Sequence, residues 1–478
     1  MRRILAGTGV VVLLAAGYGA LDVYDVVPGI LTRDVPTPAP SATPTPGLTT
    51  PSVVLPTVDE GAVPLDPASA SAPIPAAASL AKVIAPAAKD PRLGASPGVV
   101  VRDAFTGQYL FRQNADTARR PASTVKLLTA LAVATTLDTT ATLPTTVVQG
   151  SSPSQIVLVA GGDSMLAKGA GNPAAVEGRA GLGDLAQQVA TALQPSGTTS
   201  VTLRLDTTYA AGPRWAPTWI QSDIDQGFTG GVSMLGLAGQ RAIPYHPAPR
   251  NPEAATAAAF VAALAKVGIT AKLAPQSTWD TKAPAGSQEL GRVESAPIGD
   301  VLALALAESD NALTDGLARQ AAVKKGGATT FAAAVSFVLA QAKANGIDTT
   351  GVVLKDTSGL SAGQKVPPRV ISDALQLGAD GTVPGMQDVV AQLPVAGLSG
   401  TLADRFATKG THVVAGNARA KTGTLTGISS IAGTVVDADG RVLSYVVLAD
   451  GVPAGVGTLD ARAALDRFVA TLATCGCR

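Results

Sequence analysis

Short apolar runs separated by a turn form the first clear pattern in the chain. Residues 98–101 and 109–111 have the composition of strands, and Thr106-Gly107 between them suits a turn, so a β-hairpin is predicted. After Pro121-Ala122-Ser123, residues 124–137 are apolar and rich in helix formers. This stretch predicts a buried helix that begins at Ser123.

Strand patterns return near the C-terminal end. Residues 418–426, 428–436 and 442–449 each predict a strand, and a turn at 437–440 joins the last two. Residues 458–472 predict an amphipathic closing helix. Because strands occur at both ends and helical patterns lie between them, we expect an α/β (α+β) fold. Its antiparallel sheet would be completed by both ends of the chain and flanked by helices.

The middle of the chain has a different pattern. Residues 155–160 and 201–206 predict strands, whereas 182–193 and 252–267 predict helices. This alternation predicts a mixed α/β domain inserted at residues 143–284.

The N-terminal 75 residues are unlike a folded domain. Within 1–33, Arg2 and Arg3 precede an apolar run at 4–21, which indicates a signal or a membrane anchor, and we favour an uncleaved anchor. Residues 34–75 are rich in Pro, Thr and Ser and predict a disordered linker. The expected location is extracytoplasmic, in the cell envelope, either membrane-anchored or secreted.

Charge and rare residues narrow the range of functions. The 36 basic and 35 acidic side chains leave a net charge of +1, so no nucleic acid partner is expected. With His246 and His412 as the only histidines, we expect no metal and no cofactor. Cys475 and Cys477 lie in the tail 475–478, where a local disulfide is conceivable, but an inert tail is the favoured interpretation.

One candidate nucleophile opens the predicted buried helix. Ser123-Thr124-Val125-Lys126 is an S-x-x-K sequence, and its spacing places the lysine amine within reach of the serine hydroxyl on one helix face. The motif is weak alone, since Ser79-Leu80-Ala81-Lys82 repeats it in an Ala-rich stretch. We interpret that second copy as accidental.

Two further short motifs follow in the order that serine acyl-transfer enzymes of this type require. Ser309-Asp310-Asn311 follows a helical run, and Lys421-Thr422-Gly423 lies on a predicted strand. Alone, the first is a common turn or helix cap and the second a common strand end. The three motifs together, one on a helix and one on a strand, favour a shared active site.

Longer strings around these motifs carry a family resemblance. The chain resembles the D-alanyl-D-alanine carboxypeptidase/endopeptidase family of class C, low-molecular-mass penicillin-binding proteins from about residue 76 to its C-terminus. The strings that carry it are Asn114-Ala115-Asp116, residues 121–130, Gly161-Gly162-Asp163, residues 356–361, Leu393-Pro394-Val395-Ala396-Gly397, Gly400-Thr401-Leu402 and residues 420–424.

The resemblance implies a penicillin-binding protein/serine β-lactamase-like transpeptidase fold. Its catalytic domain would comprise residues 76–142 and 285–474, with the inserted domain between the first and second motifs. It also implies D-Ala-D-Ala carboxypeptidase activity, possible D,D-endopeptidase activity, peptidoglycan stem peptides as substrates and β-lactams as inhibitors.

Residue roles follow from the same resemblance. Ser123 would be the nucleophile and Lys126 its base, while Ser309 would relay a proton and Asn311 would hold the substrate amide. Lys421 and Thr422 would bind the terminal carboxylate, and the Ser123 and Thr424 backbone amides would form the oxyanion hole. Gly423 would let substrate approach the strand closely. Catalysis requires a neutral Lys126 amine, so we expect burial and the Lys421 charge to lower its pKa.

Three questions stay open on sequence alone. Residues 356–360 fit either an active-site border or a structural turn. A serine β-lactamase or esterase would carry the same motifs, and so would a non-catalytic wall-binding or β-lactam-sensing scaffold. The intact set of catalytic residues argues against the scaffold.

Overall fold

The computed structural model describes residues 68–477. Within this range the α-helices are α1 Ala77–Ala88, α2 Lys126–Ala134, α3 Leu182–Leu193, α4 Gln221–Asp225, α5 Pro252–Lys266, α6 Ile298–Ala307, α7 Asn311–Lys324, α8 Phe331–Ala344, α9 Pro368–Ala379, α10 Pro384–Ala391 and α11 Thr458–Ala473. The strands are β1 Gly98–Asp103, β2 Tyr109–Gln113, β3 Pro144–Gln149, β4 Gln155–Val159, β5 Ser200–Asp206, β6 Thr270–Leu273, β7 Glu289–Glu294, β8 Ala418–Leu425, β9 Ile428–Val436 and β10 Val442–Ala449.

The first sheet joins the two ends of the described chain. Its strand order is β2-β1-β10-β9-β8, and all of its neighbouring strands are antiparallel. Pairing of β1 with β10 closes the N-terminal hairpin onto the C-terminal strands. The predicted antiparallel sheet, with its hairpin and its helical flanks, is therefore confirmed.

Both faces of the first sheet are covered. Side chains of successive strand residues point to opposite faces, so Val99 and Val101 enter one hydrophobic cluster and Val100 enters another. The Val100 cluster includes α2, in which every residue except Ala134 is buried. On the other face, α11 packs against β9 and α1. This burial explains why β1 has no exposed residue.

A second sheet is built from the middle of the chain. Its order is β6-β5-β4-β3-β7, with β4, β5 and β6 parallel and β3 antiparallel to both of its neighbours. Helix α3 packs against α5 and β7. Strand β7, at Glu289–Glu294, lies beyond the predicted boundary at residue 284. It belongs to the second sheet because it pairs with β3, the first strand of this sheet in the chain. The residue pattern of β7, a short edge strand, did not predict its pairing with β3.

The described end of the predicted linker is ordered against the folded body. The Ser69 N–H donates to the Gly440 carbonyl at 3.0 Å, and Arg441 donates to the carbonyls of Ala70 and Ala72. Arg441 also forms a buried ion pair with Asp103. The prediction of disorder is thus wrong for residues 68–75, because the β9–β10 turn supplies hydrogen-bond partners.

The C-terminal tail also lies against this turn. Cys475 and Cys477 are joined by a disulfide and are buried, so the interpretation of an inert tail is wrong. The Ala76 N–H donates to the Cys477 carbonyl at 2.7 Å, and the Ala438 N–H donates to the Cys475 carbonyl at 3.3 Å.

The predicted signal or anchor at 1–33 lies outside the described residues, as do residues 34–67 of the linker. Among the helices at 68–477, none has the length and apolar character needed to cross a bilayer.

Removal of residues 1–75 should destabilise the protein, whereas removal of 1–67 should not. The longer deletion removes the hydrogen bonds of Ser69, Ala70 and Ala72, so we expect the free energy of unfolding to fall by about 1–3 kcal/mol. Thermal unfolding of the two shortened chains measures the difference. Equal midpoints would show that residues 68–75 contribute nothing to the body.

Candidate active site

Ser123 lies in a tight turn that comes before a buried helix. Residues Ala122–Val125 form a 3-10 turn, and α2 begins only at Lys126, so the predicted helix start at Ser123 is corrected. Ala122 has φ of 47°, a left-handed conformation that few non-glycine residues adopt. The Pro121 carbonyl accepts from Thr124 Oγ1 at 2.7 Å and from Ser430 Oγ at 2.8 Å. These contacts fix the turn against β9.

The amine of Lys126 joins three parts of the chain. Its Nζ lies 3.0 Å from Ser123 Oγ, 2.6 Å from Asn311 Oδ1 and 2.7 Å from the Ser358 carbonyl oxygen. The side chain has no exposed surface. Three fixed acceptors therefore position this amine beside the serine hydroxyl, the geometry that a general base requires.

Burial lowers the pKa of Lys126 to about 8, although the charges of Asp356, Asp315 and Asp310 act in the opposite direction. The predicted direction is therefore confirmed. At pH 7 roughly a tenth of the amine is neutral, far more than for an exposed lysine. A base in this state can accept a proton near neutral pH.

Residues 356–361 border the active site through the Ser358 carbonyl. Asp356, which is fully buried, organises the loop by accepting hydrogen bonds from the backbone N–H groups of Ser358, Gly359 and Ser361 and from the side chains of Gln364 and Trp219. The segment is therefore a structural turn, and this turn also presents the Ser358 carbonyl to Lys126.

A second carboxyl lies in the same buried region. Asp315 Oδ1 accepts from the backbone N–H and the hydroxyl of Thr357, at 2.9 and 2.6 Å. Burial, together with the charge of Asp356, raises the pKa of Asp315 to about 7. Asp315 therefore anchors the loop that positions Lys126.

Ser309 and Lys421 form a second serine–lysine pair. Lys421 Nζ lies 3.0 Å from Ser309 Oγ and 2.7 Å from the Thr422 carbonyl oxygen. Burial, followed by the charge of Lys126, lowers the pKa of Lys421 well below its ordinary value. Because this repulsion is mutual, each lysine disfavours the charged form of the other.

Strand β8 runs directly beside the 3-10 turn that contains Ser123. A Cβ atom on Gly423 would lie 2.3 Å from Ser430 Oγ and 2.9 Å from the Ser123 nitrogen, so only glycine fits without a shift. Thr422 Oγ1 donates to Thr401 Oγ1 at 2.8 Å. The β8 backbone is therefore held close to the Ser123 N–H.

The predicted site residues gather around one cleft. A cavity of about 720 Å³ is lined by Ser123, Ser309, Asn311, Thr422 and Thr424, among other residues. Lys126 and Lys421 lie behind its surface and contact the two serine hydroxyls. The cleft can therefore admit a peptide to a hydroxyl that has a base on its buried side.

Sequence reasoning missed several supports of the site. The Phe228 carbonyl accepts from Asn311 Nδ2 at 2.8 Å. Any residue at position 228 has this carbonyl, so the identity of the residue could not have indicated the contact. Asp315 could have been noticed, because it lies four residues after Asn311 and therefore on the same helix face. Thr401 and Ser358 stand in strings that carried the resemblance, but residue type alone assigned them no role.

The chain matches a carboxypeptidase family and two carboxypeptidases over most of its length. The model of the D-Ala-D-Ala carboxypeptidase 3 (S13) family matches residues 80–246 and 239–473. Carboxypeptidase DacB of Mycolicibacterium smegmatis is 36% identical over 88% of this chain and 89% of its own length. Carboxypeptidase Rv3627c of Mycobacterium tuberculosis is 34% identical over the same shares.

A solved structure supports the fold. Penicillin binding protein 4 (dacB) from Haemophilus influenzae has a TM-score of 0.65 and 21% identity, covering 83% of this chain and 98% of that chain. The same protein has also been solved in complex with a β-lactam. The predicted penicillin-binding protein fold is thereby confirmed.

Gly423→Ala should disturb the nucleophile without unfolding the protein. The added Cβ must push β8 away from Ser123, at a cost of about 1–3 kcal/mol, and should slow reaction of Ser123 with a fluorophosphonate about tenfold to a hundredfold. Labelling rate and thermal midpoint measure both effects. Gly410→Ala is the matched control, since no heavy atom lies within 4 Å of its added Cβ. Equal labelling of the two variants would contradict the described contact.

Proposed function

This chain belongs to the D-Ala-D-Ala carboxypeptidase 3 (S13) family, and from that premise we propose that Ser123 and Lys126 are its nucleophile and base. The activity is that of a serine-type D-alanyl-D-alanine carboxypeptidase, a hydrolase of the penicillin-binding protein class. The observation that supports the two roles most directly is the 3.0 Å contact between a cleft-lining hydroxyl and a buried amine of lowered pKa.

Acylation begins at the carbonyl between two terminal D-alanines. As Ser123 Oγ forms a bond to the carbonyl carbon, its proton passes to the neutral amine of Lys126. The backbone N–H groups of Ser123 and Thr424 stabilise the oxyanion. The closeness of Gly423 to the Ser123 nitrogen supports this arrangement.

The C–N bond then breaks, and the leaving amine needs a proton. Ser309 transfers it, because its hydroxyl contacts Lys421 and lines the same cleft as Ser123. Free D-alanine departs and leaves an ester on Ser123. Water hydrolyses this ester and regenerates the enzyme.

Three groups near β8 bind the substrate. Lys421 and Thr422 bind the terminal carboxylate, and Asn311 holds the substrate amide. The hydroxyl pair of Thr422 and Thr401 supports the first role, since Thr401 accepts from Thr422 and has its own hydroxyl proton to donate beside the cleft. Asn311 keeps its amide oriented through Lys126 and the Phe228 carbonyl. No metal or organic cofactor takes part in any of these steps.

The substrate is the stem peptide of peptidoglycan, and the protein acts outside the cytoplasm. β-Lactams react as strained amides with the same serine and inhibit the enzyme by forming a stable ester. D,D-Endopeptidase activity on cross-linked peptides is an additional proposed reaction. Residues 1–33 anchor the protein to the membrane, and residues 34–67 act as the spacer.

The second-sheet region constitutes the inserted domain. Its limits extend from about residue 143 to β7, which shifts the start of the second catalytic segment from 285 to about 295. The hydrogen bonds of β3 with β7 support this limit, because they join the first and last strands of the region.

Acylation by a fluorescent penicillin should become faster as the pH rises. Only the neutral amine of Lys126 accepts a proton, so the rate should rise about tenfold per pH unit below its pKa of about 8 and level off above it. Stopped-flow labelling between pH 6 and 9 measures this profile. A rate that falls over this range would exclude Lys126 as the base.

Lys126→Arg should abolish acylation, because a guanidinium keeps its proton in proteins. We expect acylation to slow by about a factor of 10² or more, with no D-alanine released from a D-Ala-D-Ala peptide. Lys82→Arg is the matched control, since it alters the exposed lysine of the other S-x-x-K sequence.

Mass mapping of the labelled protein should place penicillin on Ser123. Label on Ser79, or normal acylation of the Lys126→Arg variant, would contradict the assignment. Rapid turnover of penicillin without D-alanine release would instead indicate a β-lactamase. Binding without a covalent product would indicate a scaffold.

A further inference from the structure

Arg241 connects the second-sheet region to the second catalytic motif. It follows a 3-10 turn at Ala238–Gln240, and its side chain is only 10% exposed. Its Nη2 donates to Glu308 Oε2 at 2.6 Å and to Asp310 Oδ2 at 2.8 Å, and its Nε donates to Asp310 Oδ2 at 3.1 Å. Nη1 donates to Glu177 Oε1 at 2.5 Å. Every guanidinium nitrogen therefore has a carboxylate partner.

Two of these partners stand on either side of Ser309 in the chain. Ser309 has φ of 60°, a left-handed conformation that is strained for a non-glycine residue. Such a conformation persists only if surrounding contacts hold it. The backbone N–H groups of residues 308–310 donate to carbonyls of the preceding helix, and Arg241 adds the side-chain contacts, because it binds the residues immediately before and after the serine.

Asp310 also fixes the position of Asn311, the next residue in the chain. Its Oδ1 accepts from the Leu313 N–H at 2.8 Å and so caps α7, which begins at Asn311. With Oδ2 held by Arg241, the carboxylate fixes the helix start and the turn together. The planar guanidinium suits this task, since it donates from several nitrogens in a fixed geometry.

We propose that Arg241 is a positioning residue for Ser309 and sets how well that hydroxyl delivers a proton to the leaving amine. The inference rests on the proposed function of Ser309. Arg241 acts through the conformation of the 308–310 turn and not by touching the reacting atoms. The second-sheet region thereby controls a step of catalysis.

The chemistry of the leaving group separates this role from general stability. When an amide C–N bond breaks, the nitrogen keeps the electron pair and must take up the proton that Ser123 gave to Lys126. When a thiolester C–S bond breaks, the thiolate departs without a proton. A displaced Ser309 should therefore slow amide cleavage much more than thiolester cleavage of the same acyl group.

The experiment compares kcat/KM for a D-Ala-D-Ala peptide and for the thiolester with the same acyl part and a thiolactate leaving group. For Arg241→Ala we expect the amide value to fall about tenfold to a hundredfold and the thiolester value to fall less than about threefold. Arg241→Lys should lie between this variant and the native protein. The result is expressed as the ratio of kcat/KM for the amide to kcat/KM for the thiolester. Because this ratio does not depend on the fraction of folded enzyme, partial unfolding cannot imitate the result.

Three reference variants complete the test. Arg250→Ala removes the exposed ion pair with Asp225 and should leave the ratio unchanged. Ser309→Ala should lower the ratio strongly, and adding Arg241→Ala to it should lower the ratio no further, because both changes affect one proton transfer.

The outcomes distinguish two failures. If Ser309→Ala lowers the ratio but neither Arg241 variant does, the positioning role is wrong and the proposed function stands. If Ser309→Ala leaves the ratio unchanged, Ser309 is not the proton relay, and the inference about Arg241 fails with it. A further loss in the double variant would also overturn the inference, since Arg241 would then act apart from Ser309.

Discussion

Complete burial of two lysine amines is the constraint on which the site depends. An ammonium group removed from water is costly unless it is paired, hydrogen-bonded or neutral. Lys126 and Lys421 combine these solutions, because each has fixed oxygen acceptors and each has a lowered pKa. The carboxyl groups of Asp315 and Asp356 limit the shift at Lys126. The amine is consequently basic enough to take a proton and neutral often enough to do so.

Residue patterns predicted the parts of this structure that depend on local order. The apolar run around Val100 and the turn at 437–440 specified strands of the first sheet, because a strand that is buried on both faces has no polar positions to alternate with. The short motifs at Ser123, Ser309 and Lys421 specified side chains that the fold brings to one cleft.

The rest depends on contacts between residues far apart in sequence. The left-handed φ of Ala122 arises from packing of the turn against β8, β9 and the loop that contains Gly359, and an alanine gives no local sign of it. The bond from Trp219 to Asp356 joins residues 137 positions apart. Cys475 and Cys477 could be recognised as a pair, but their burial follows from the position of α11. Nonlocal packing therefore determined the details that sequence left open.

Both ends of the folded body meet at the β9–β10 turn, through Ser69 at one end and Cys475 at the other. A mechanical load applied to the chain before residue 68 would enter the body at this turn. Arg441 would pass it to Asp103 on β1, which pairs with the central strand β10. Strand β8, which runs beside Ser123, lies two strands beyond β10 at the edge of this sheet. Tension at the N-terminal end of the body would therefore be taken up at the β9–β10 turn before it reached the strand beside Ser123.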